Sequence, residues 1–299
     1  MIKRVLLFLA MNIAIIIVIT VVFAILEHFF GIQLDLYWQN YVSIWIYSAI
    51  IWFTGAFISL AISKWMAKRA YKIEPITLEQ ASNLNWKEKI VWDTVVELSE
   101  RHRIKMPEVG IYNDSEANAF ATWMSKNNSL VAVSTWLLDT MDNWAIEWVV
   151  AHEMAHILNW DMVTMTLLQW VLNTFVVFFA RIVSNIIADR LDEWLSPMVY
   201  MLVNIALQIL FGILASIIAM AYSRHREFRA DAGSAKYVGK EKMIAWLQAL
   251  KKMQQFASND GADLATMKIS TKGRWWFMSM FSSHPDLDDR IKALEDLRI

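Results

Sequence analysis

Near the middle of the chain, residues 149–158 read VVAHEMAHIL, the strongest pattern in the sequence. His152 and His156 are four positions apart, so on a helix both imidazoles share one face and can bind one metal ion. Glu153 then stands beside them, able to accept a proton from water at that ion. Apolar residues flank the motif on both sides. Buried or half-buried His and Glu need a partner, and a divalent cation supplies one.

Four uncharged stretches are long enough to cross a bilayer, which needs about 20 apolar residues. They are Val5–Leu26, Leu36–Ser63, Met162–Ala180 and Leu195–Ser223. The third contains several polar residues, and its alternative interpretation is a buried helix of a soluble domain. The first is longer than the apolar core of a cleaved signal, roughly 7–15 residues, so we interpret it as a retained anchor. The sequence therefore predicts four transmembrane helices.

The distribution of Lys and Arg predicts the orientation of these spans. Lys3 and Arg4 precede the first span, basic residues follow the second and fourth, and the first loop carries neither Lys nor Arg. Both termini and both long polar segments should therefore face the cytoplasm. The predicted domains are a transmembrane hairpin (1–63), a cytosolic segment with the motif helix (64–161), a second transmembrane hairpin (162–223) and a cytosolic helical tail (224–299).

A catalytic zinc site needs a third protein ligand and keeps a fourth position for water. In the metzincin arrangement the third ligand would be a histidine at position 162, but that residue is Met162, so this arrangement is excluded. A downstream carboxylate on the same side of the membrane is then required. Glu227 and Asp231 follow the fourth span, four residues apart on one helical face. We expect Glu227 to be the ligand and Asp231 to accept a hydrogen bond from a ligand imidazole.

The polar segments predict a mixed α+β domain. Residues 75–105 have helical periodicity, and a further helix should run from Asp142 through Ile157. Three short strands are expected at Val109–Tyr112, Asn118–Ala121 and Leu130–Ser134, with a hairpin turn at Asn127-Asn128. The tail should be helical around Lys240–Gln255 and Leu287–Leu297. The predicted fold class is a mainly α membrane protein with a small cytosolic sheet.

Composition excludes several other classes of protein. The chain has no cysteine, which removes disulfides, cysteine nucleophiles and zinc–thiolate sites. Its net charge of −1 gives no electrostatic reason to expect nucleic acid as a partner. A transporter or channel would be expected to carry ionisable residues within its spans, and the four stretches have none.

Several motifs together resemble the bacterial HtpX heat-shock membrane endopeptidases, relatives of the Ste24 prenyl-protein proteases. They occur in the family's order at residues 118–121, 130–134, 152–156, 159–164, 227–233 and 283–285. The resemblance implies a gluzincin-type zincin domain and a zinc endopeptidase in the bacterial inner membrane, with its site facing the cytoplasm. Misfolded or damaged membrane proteins would be its substrates, and self-cleavage is a further expectation. A prenyl-protein-type peptidase and a catalytically silent scaffold are the alternatives.

Carried over residue by residue, the resemblance implies one Zn²⁺ held by His152, His156 and Glu227, with Glu153 as the catalytic base. Two further implications concern the substrate. Asn118 and Ala119 resemble a strand at the edge of the cleft that pairs with an extended peptide. His284 matches a family position near the site and is expected to contact the substrate or the reaction intermediate.

Tryptophan and glycine are present in unusual numbers. The chain has 16 Trp and 8 Gly, whereas ordinary usage would give about 21 glycines. Some tryptophans fall where the similar family usually has glycine, namely Trp123, Trp136, Trp160 and Trp170. Trp160 follows the motif helix, where glycine would end the helix easily. We hypothesise that many of these residues are encoded by UGA codons that the source bacterium reads as glycine. The alternative is an aromatic-rich membrane protein.

Overall fold

The computed structural model describes residues 41–114, 118–190, 192, 195–259 and 284–298. The first expected span, residues 5–26, lies outside them. In chain order the helices and strands are α1 (Tyr41–Tyr71), β1 (Glu74–Pro75), α2 (Leu78–Ala81), α3 (Trp86–His102), β2 (Glu108–Tyr112), β3 (Ala119–Ser125), β4 (Asn128–Ser134), α4 (Thr135–Thr140), α5 (Asn143–Leu158), α6 (Asp161–Ala188), α7 (Ser196–Val238), α8 (Lys240–Asn259) and α9 (Leu287–Glu295).

The chain divides into two compact units. Of the described residues, 41–59 and those within 166–219 form the first unit, and those within 60–165 and 220–298 form the second. The fold is therefore mostly helical with a small sheet, as the sequence predicted.

Within the described residues, three helical segments are long and apolar enough to cross a membrane, namely Ser48–Tyr71, Asp161–Ala188 and Ser196–Val238. They correspond to the second, third and fourth expected spans. Within the first unit, the indole Nε1 of Trp170 on α6 donates to the carbonyl of Ala49 on α1 at 2.8 Å. Trp170 also packs edge-on against Phe53, with ring centroids 5.1 Å apart. Large apolar side chains along α7 are exposed, which suits a surface in contact with lipid.

The second unit contains a four-stranded mixed sheet in the order β1-β2-β4-β3. β2 runs parallel to β4, whereas β1 pairs antiparallel with β2 and β3 antiparallel with β4. The three strands expected from the sequence are confirmed. The hairpin turn between β3 and β4 falls at Lys126-Asn127, one residue earlier than predicted.

The segment 75–105, expected to be helical, contains α2 and α3, while Pro75 at its start belongs to β1. Thr77 caps the short α2, and Asn85 begins α3 with a capping box closed by Glu88. These caps satisfy free backbone N–H groups at two separate helix starts. The helical segment is therefore divided into two helices, each with its own N-cap.

The central helix of the second unit is α5, which is buried on two sides. On one side, Val150, Met154 and Ile157 belong to a core shared with α3, β2 and β4. On the other side, Ala145 and Trp148 belong to a second core with α8 and α9. A helix that is apolar nearly all round is stable only when it is buried. This burial holds the two histidines of α5 in fixed positions.

A tight turn joins α5 to α6. The last α5 residues lead to Asn159 at the C-cap, and Trp160 then adopts φ = +60°. This left-handed conformation is favourable for glycine and strained for a side chain as large as tryptophan. The backbone therefore supports the expectation that glycine is the natural residue type at this turn.

Candidate metal centre and active site

Two helices bring the three predicted ligand residues together. α5 carries His152 and His156 on one face, and α7 carries Glu227; all three are buried. The Nε2 atoms of the histidines lie 3.2 Å apart. Glu227 Oε2 lies 3.4 Å from His152 Nε2, and Glu227 Oε1 lies 3.5 Å from His156 Nε2. These three residues form a cluster able to hold a metal ion.

The geometry of this cluster fits zinc. Zn²⁺ binds imidazole nitrogen at about 2.0–2.1 Å in tetrahedral geometry, so neighbouring ligand atoms should lie about 3.3 Å apart. The two imidazole nitrogens meet this requirement at 3.2 Å, and each lies 3.4 or 3.5 Å from one of the two Glu227 oxygens. Two imidazoles and a carboxylate are also a ligand set known from catalytic zinc sites that leave one position open.

The second nitrogen of His152 faces a carboxylate. Its Nδ1 lies 3.0 Å from Asp231 Oδ1, and Arg290 on α9 donates to both oxygens of Asp231 at 2.6 and 2.7 Å. Burial alone lowers the pKa of His152, but the carboxylates of Asp231 and Glu227 outweigh that effect and raise its pKa to about 10. Asp231 therefore occupies the position predicted for it beside a ligand imidazole.

His156 has an equivalent neighbour that sequence reasoning missed. Its Nδ1 lies 2.6 Å from Oδ2 of Asp161, the first residue of α6. Asp161 is fully buried, and its Oδ1 accepts a hydrogen bond from Arg229 Nη2 at 2.5 Å. Asp161 follows His156 by only five residues, a spacing that could have drawn attention to it. Arg229 lies two residues after Glu227, but no local pattern in the sequence links it to Asp161, and none links Arg290 to Asp231.

Two other predicted residues lie at or next to the cluster. His284 Nδ1 lies 3.2 Å from Glu227 Oε2 and belongs to a half-exposed side chain. The structure thus brings the predicted His284 to the carboxylate of Glu227. Glu153 follows His152 on α5 and is partly exposed.

β3 lies at one edge of the sheet and packs against α5. Asn118 pairs with Ser134 of β4 through its backbone: the Asn118 carbonyl accepts from the Ser134 amide at 2.9 Å. In an antiparallel pair, the backbone N–H and C=O of one residue face the partner strand, and those of the next residue face the opposite side. The next residue, Ala119, pairs in register with Val133, so its N–H and C=O are directed towards the open edge.

The helical fold, the apolar spans and the buried His–His–Glu cluster beside a sheet edge define a class, the membrane peptidases with a His-Glu-x-x-His helix. Comparisons with known proteins identify the family. A profile described as peptidase family M48 matches residues 85–298. The chain is 46% identical to a protease HtpX homologue of Bacillus licheniformis, covering 98% of this chain and 99% of that protein. It is 47% identical to protease HtpX of Pasteurella multocida, covering 98% of each.

A solved structure has a similar fold. The crystal structure of S. mikatae Ste24p matches with a TM-score of 0.65 and 17% identity, over 98% of this chain and 64% of the Ste24p chain. The chain belongs to peptidase family M48, among the HtpX proteases, and it is a membrane protease. The comparisons do not favour the prenyl-protein peptidase or the silent scaffold.

Proposed function

We propose that this membrane protease is a zinc endopeptidase of the bacterial inner membrane that hydrolyses misfolded or damaged membrane proteins from the cytoplasmic side. The observation that carries the proposal is the buried triangle of His152, His156 and Glu227, whose spacings suit tetrahedral zinc. His152 Nε2, His156 Nε2 and one Glu227 oxygen are the proposed ligand atoms.

The proposed roles follow from the position of each residue. Bound zinc supplies Lewis acidity, which activates water as a nucleophile and polarises the scissile carbonyl. Glu153 accepts the proton of the attacking water and delivers it to the leaving amine, as a general base and then a general acid. Asp231, whose Oδ1 lies 3.0 Å from His152 Nδ1, is proposed to orient this imidazole. His284, beside Glu227, faces the substrate or the reaction intermediate.

An extended substrate segment is proposed to pair with the edge of β3. The outward-facing N–H and C=O of Ala119 offer one donor and one acceptor to such a segment, and Asn118 begins the same edge. Backbone pairing is tolerant of side-chain sequence. This tolerance suits a protease whose substrates share unfolded structure rather than one motif, and it would allow self-cleavage.

The proposed topology has four spans, with the first at residues 5–26, and keeps both the site and the chain termini in the cytoplasm. The supporting observation is the bias of Lys and Arg towards the segments that follow the second and fourth spans. The domain division at 1–63, 64–161, 162–223 and 224–299 is part of the same proposal.

Cleavage of an unfolded protein tests the proposed function. The full chain is purified in detergent with a chelator and then assayed with and without added zinc, beside Glu153→Gln and the matched control Glu147→Gln on the same helix. The proposal predicts zinc-dependent cleavage that disappears in Glu153→Gln and persists in Glu147→Gln. Cleavage that survives in Glu153→Gln would contradict it.

The absence of native cysteine allows a clean test of topology. Asp139→Cys, on exposed α4, should be protected in intact cells from a membrane-impermeant maleimide. Asp189→Cys, in the loop after the third span, should be labelled. The reverse pattern would overturn the cytoplasmic placement.

A further inference from the structure

Asp161 is a buried carboxylate outside the proposed ligand set. Its side chain is fully shielded from solvent, and an ionised carboxylate in that position is stable only when it is paired. It contacts His156 Nδ1 at 2.6 Å and Arg229 Nη2 at 2.5 Å. Because a carboxylate only accepts, the hydrogen in the first contact belongs to Nδ1.

The surrounding backbone explains how Asp161 reaches this position. It begins α6, immediately after the left-handed residue Trp160. Free N–H groups and the positive end of the helix dipole favour a carboxylate in the first turn of a helix. The turn therefore places Asp161 back beside His156 in the last turn of the preceding helix.

Arg229 connects this turn to the helix that carries the carboxylate ligand. It lies on α7 two residues after Glu227, and its Nη2 approaches the Asn159 carbonyl at 3.4 Å as well as Asp161. One guanidinium thus contacts the end of α5 and the start of α6. Both contacts come from Nη2 at the end of the long arginine side chain, and the shorter lysine carries its charge on a differently placed ammonium.

We propose that Asp161, held by Arg229, is a positioning residue for His156. By fixing the hydrogen on Nδ1, it leaves the Nε2 lone pair of His156 free and directed to the point shared with His152 and Glu227. The pair matches the arrangement on the other imidazole, where Asp231 held by Arg290 faces His152. This inference rests on the proposed zinc function, and hydrogen-bonded carboxylates generally orient metal-bound histidines.

Zinc affinity tests the inference without relying on activity. The full chain in detergent is stripped of metal, and its zinc dissociation constant is measured by competition with a chromophoric chelator. The variants are Asp161→Asn, Arg229→Met and Arg229→Lys, with Asp139→Asn, an exposed residue of α4, as the matched control. The thermal midpoint of each metal-free variant is recorded separately, and affinities are measured well below it.

The expected result is a 10- to 100-fold weaker zinc affinity for Asp161→Asn, roughly the effect usual for an outer carboxylate of a metal-bound histidine. Arg229→Met should weaken binding more than Arg229→Lys, and Asp139→Asn should match the wild type. A purely structural role would lower the metal-free thermal midpoint while leaving the zinc affinity of the folded protein unchanged, and that result would overturn the inference.

Two further outcomes are distinguishable. If the wild type neither binds zinc nor cleaves with it, the proposed function fails and the inference fails with it. If the wild type does both, but every variant binds zinc within about threefold of it, the inference alone fails. If Asp161→Asn does not fold, the zinc affinities of the two Arg229 variants test the inference with the same threefold limit.

Discussion

The Nε2 atoms of His152 and His156 lie 3.2 Å apart, and the Nδ1 atom of each histidine faces an aspartate. Both Nε2 atoms therefore point into one small space, bounded on its third side by Glu227. Although burial lowers the pKa of His152, the carboxylates of Asp231 and Glu227 raise it to about 10, so the metal-free protein is expected to carry a proton on this imidazole. Zinc and protons then compete for the same nitrogen.

This competition predicts proton release on zinc binding. Because the pKa of His152 is raised, its imidazole is protonated at pH 7 without metal, and binding should release about one proton per zinc ion. Apparent affinity should fall as the pH falls, since protons become the stronger competitor. Calorimetric titration in two buffers of different ionisation enthalpy measures the release. Equal heats in both buffers would contradict the expected protonation of His152.

The buried pair of Arg290 and Asp231 should matter for stability as well as for the site. Arg290 is only 7% exposed, and removing it leaves a buried carboxylate with one partner fewer. Arg290→Met is expected to lower the free energy of unfolding by about 3–5 kcal/mol, as for other broken buried pairs. Denaturant unfolding of the metal-free chain measures this, with Lys292→Met on the same helix as the control. Equal losses in both variants would show that the pair has no special role.

The left-handed Trp160 predicts a stabilising substitution. Trp160→Gly should relieve roughly 1 kcal/mol of backbone strain, because glycine adopts this conformation freely. The matched change Trp136→Gly should instead destabilise by about 1 kcal/mol, since residue 136 lies within helix α4. Thermal unfolding compares the two. If both changes lower the thermal midpoint, tryptophan stabilises the protein more than glycine at position 160, and the prediction is contradicted.

The codons of the gene test the origin of the tryptophans independently. UGA at positions 123, 136, 160 and 170 is the expected result if these residues are read as glycine in the source bacterium. UGG at these positions would contradict that hypothesis. Trp170, whose indole donates to the Ala49 carbonyl, is the position where glycine would remove a packing contact.

The proposed role of the β3 edge predicts that a change there lowers kcat/KM and leaves zinc affinity unchanged. Ala119 is the first residue of the strand and its N–H faces outward, so Ala119→Pro should fold while losing one donor to the substrate. We expect kcat/KM for an extended peptide to fall about 3- to 10-fold, the value of one hydrogen bond. Ala119→Ser, which keeps the N–H, is the control, and zinc affinity should not change in either variant. An unchanged kcat/KM in the proline variant would remove β3 from substrate binding.

Local spacing made the main parts of the site predictable from the sequence. Two histidines four apart on a helix, and Glu227 with Asp231 four apart on another, need only helical geometry to share a face. The arginines could not be predicted in the same way. Arg290 reaches Asp231 across 59 positions and Arg229 reaches Asp161 across 68, and no periodicity relates residues so far apart.

Two local differences have separate physical causes. The helical segment expected over 75–105 is divided into two helices because Asn85 and Glu88 close a capping box at the start of α3, a signal that the apolar periodicity alone does not reveal. The hairpin turn shifts by one residue because Asn128 already pairs with Ser125 across the two strands. Strand register, rather than the preference of asparagine for turns, decides its position.

The central claim is that His152, His156 and Glu227 hold one zinc ion and that Glu153 acts as the catalytic base beside it. Zinc stoichiometry tests this claim most directly. Metal content and cleavage are measured together on reconstituted wild type, Glu153→Gln and Glu227→Ala. One zinc per chain is predicted for the wild type and for Glu153→Gln, with cleavage only in the wild type, and Glu227→Ala should lose the metal and cleavage together. Full zinc occupancy with cleavage in Glu227→Ala would contradict the claim.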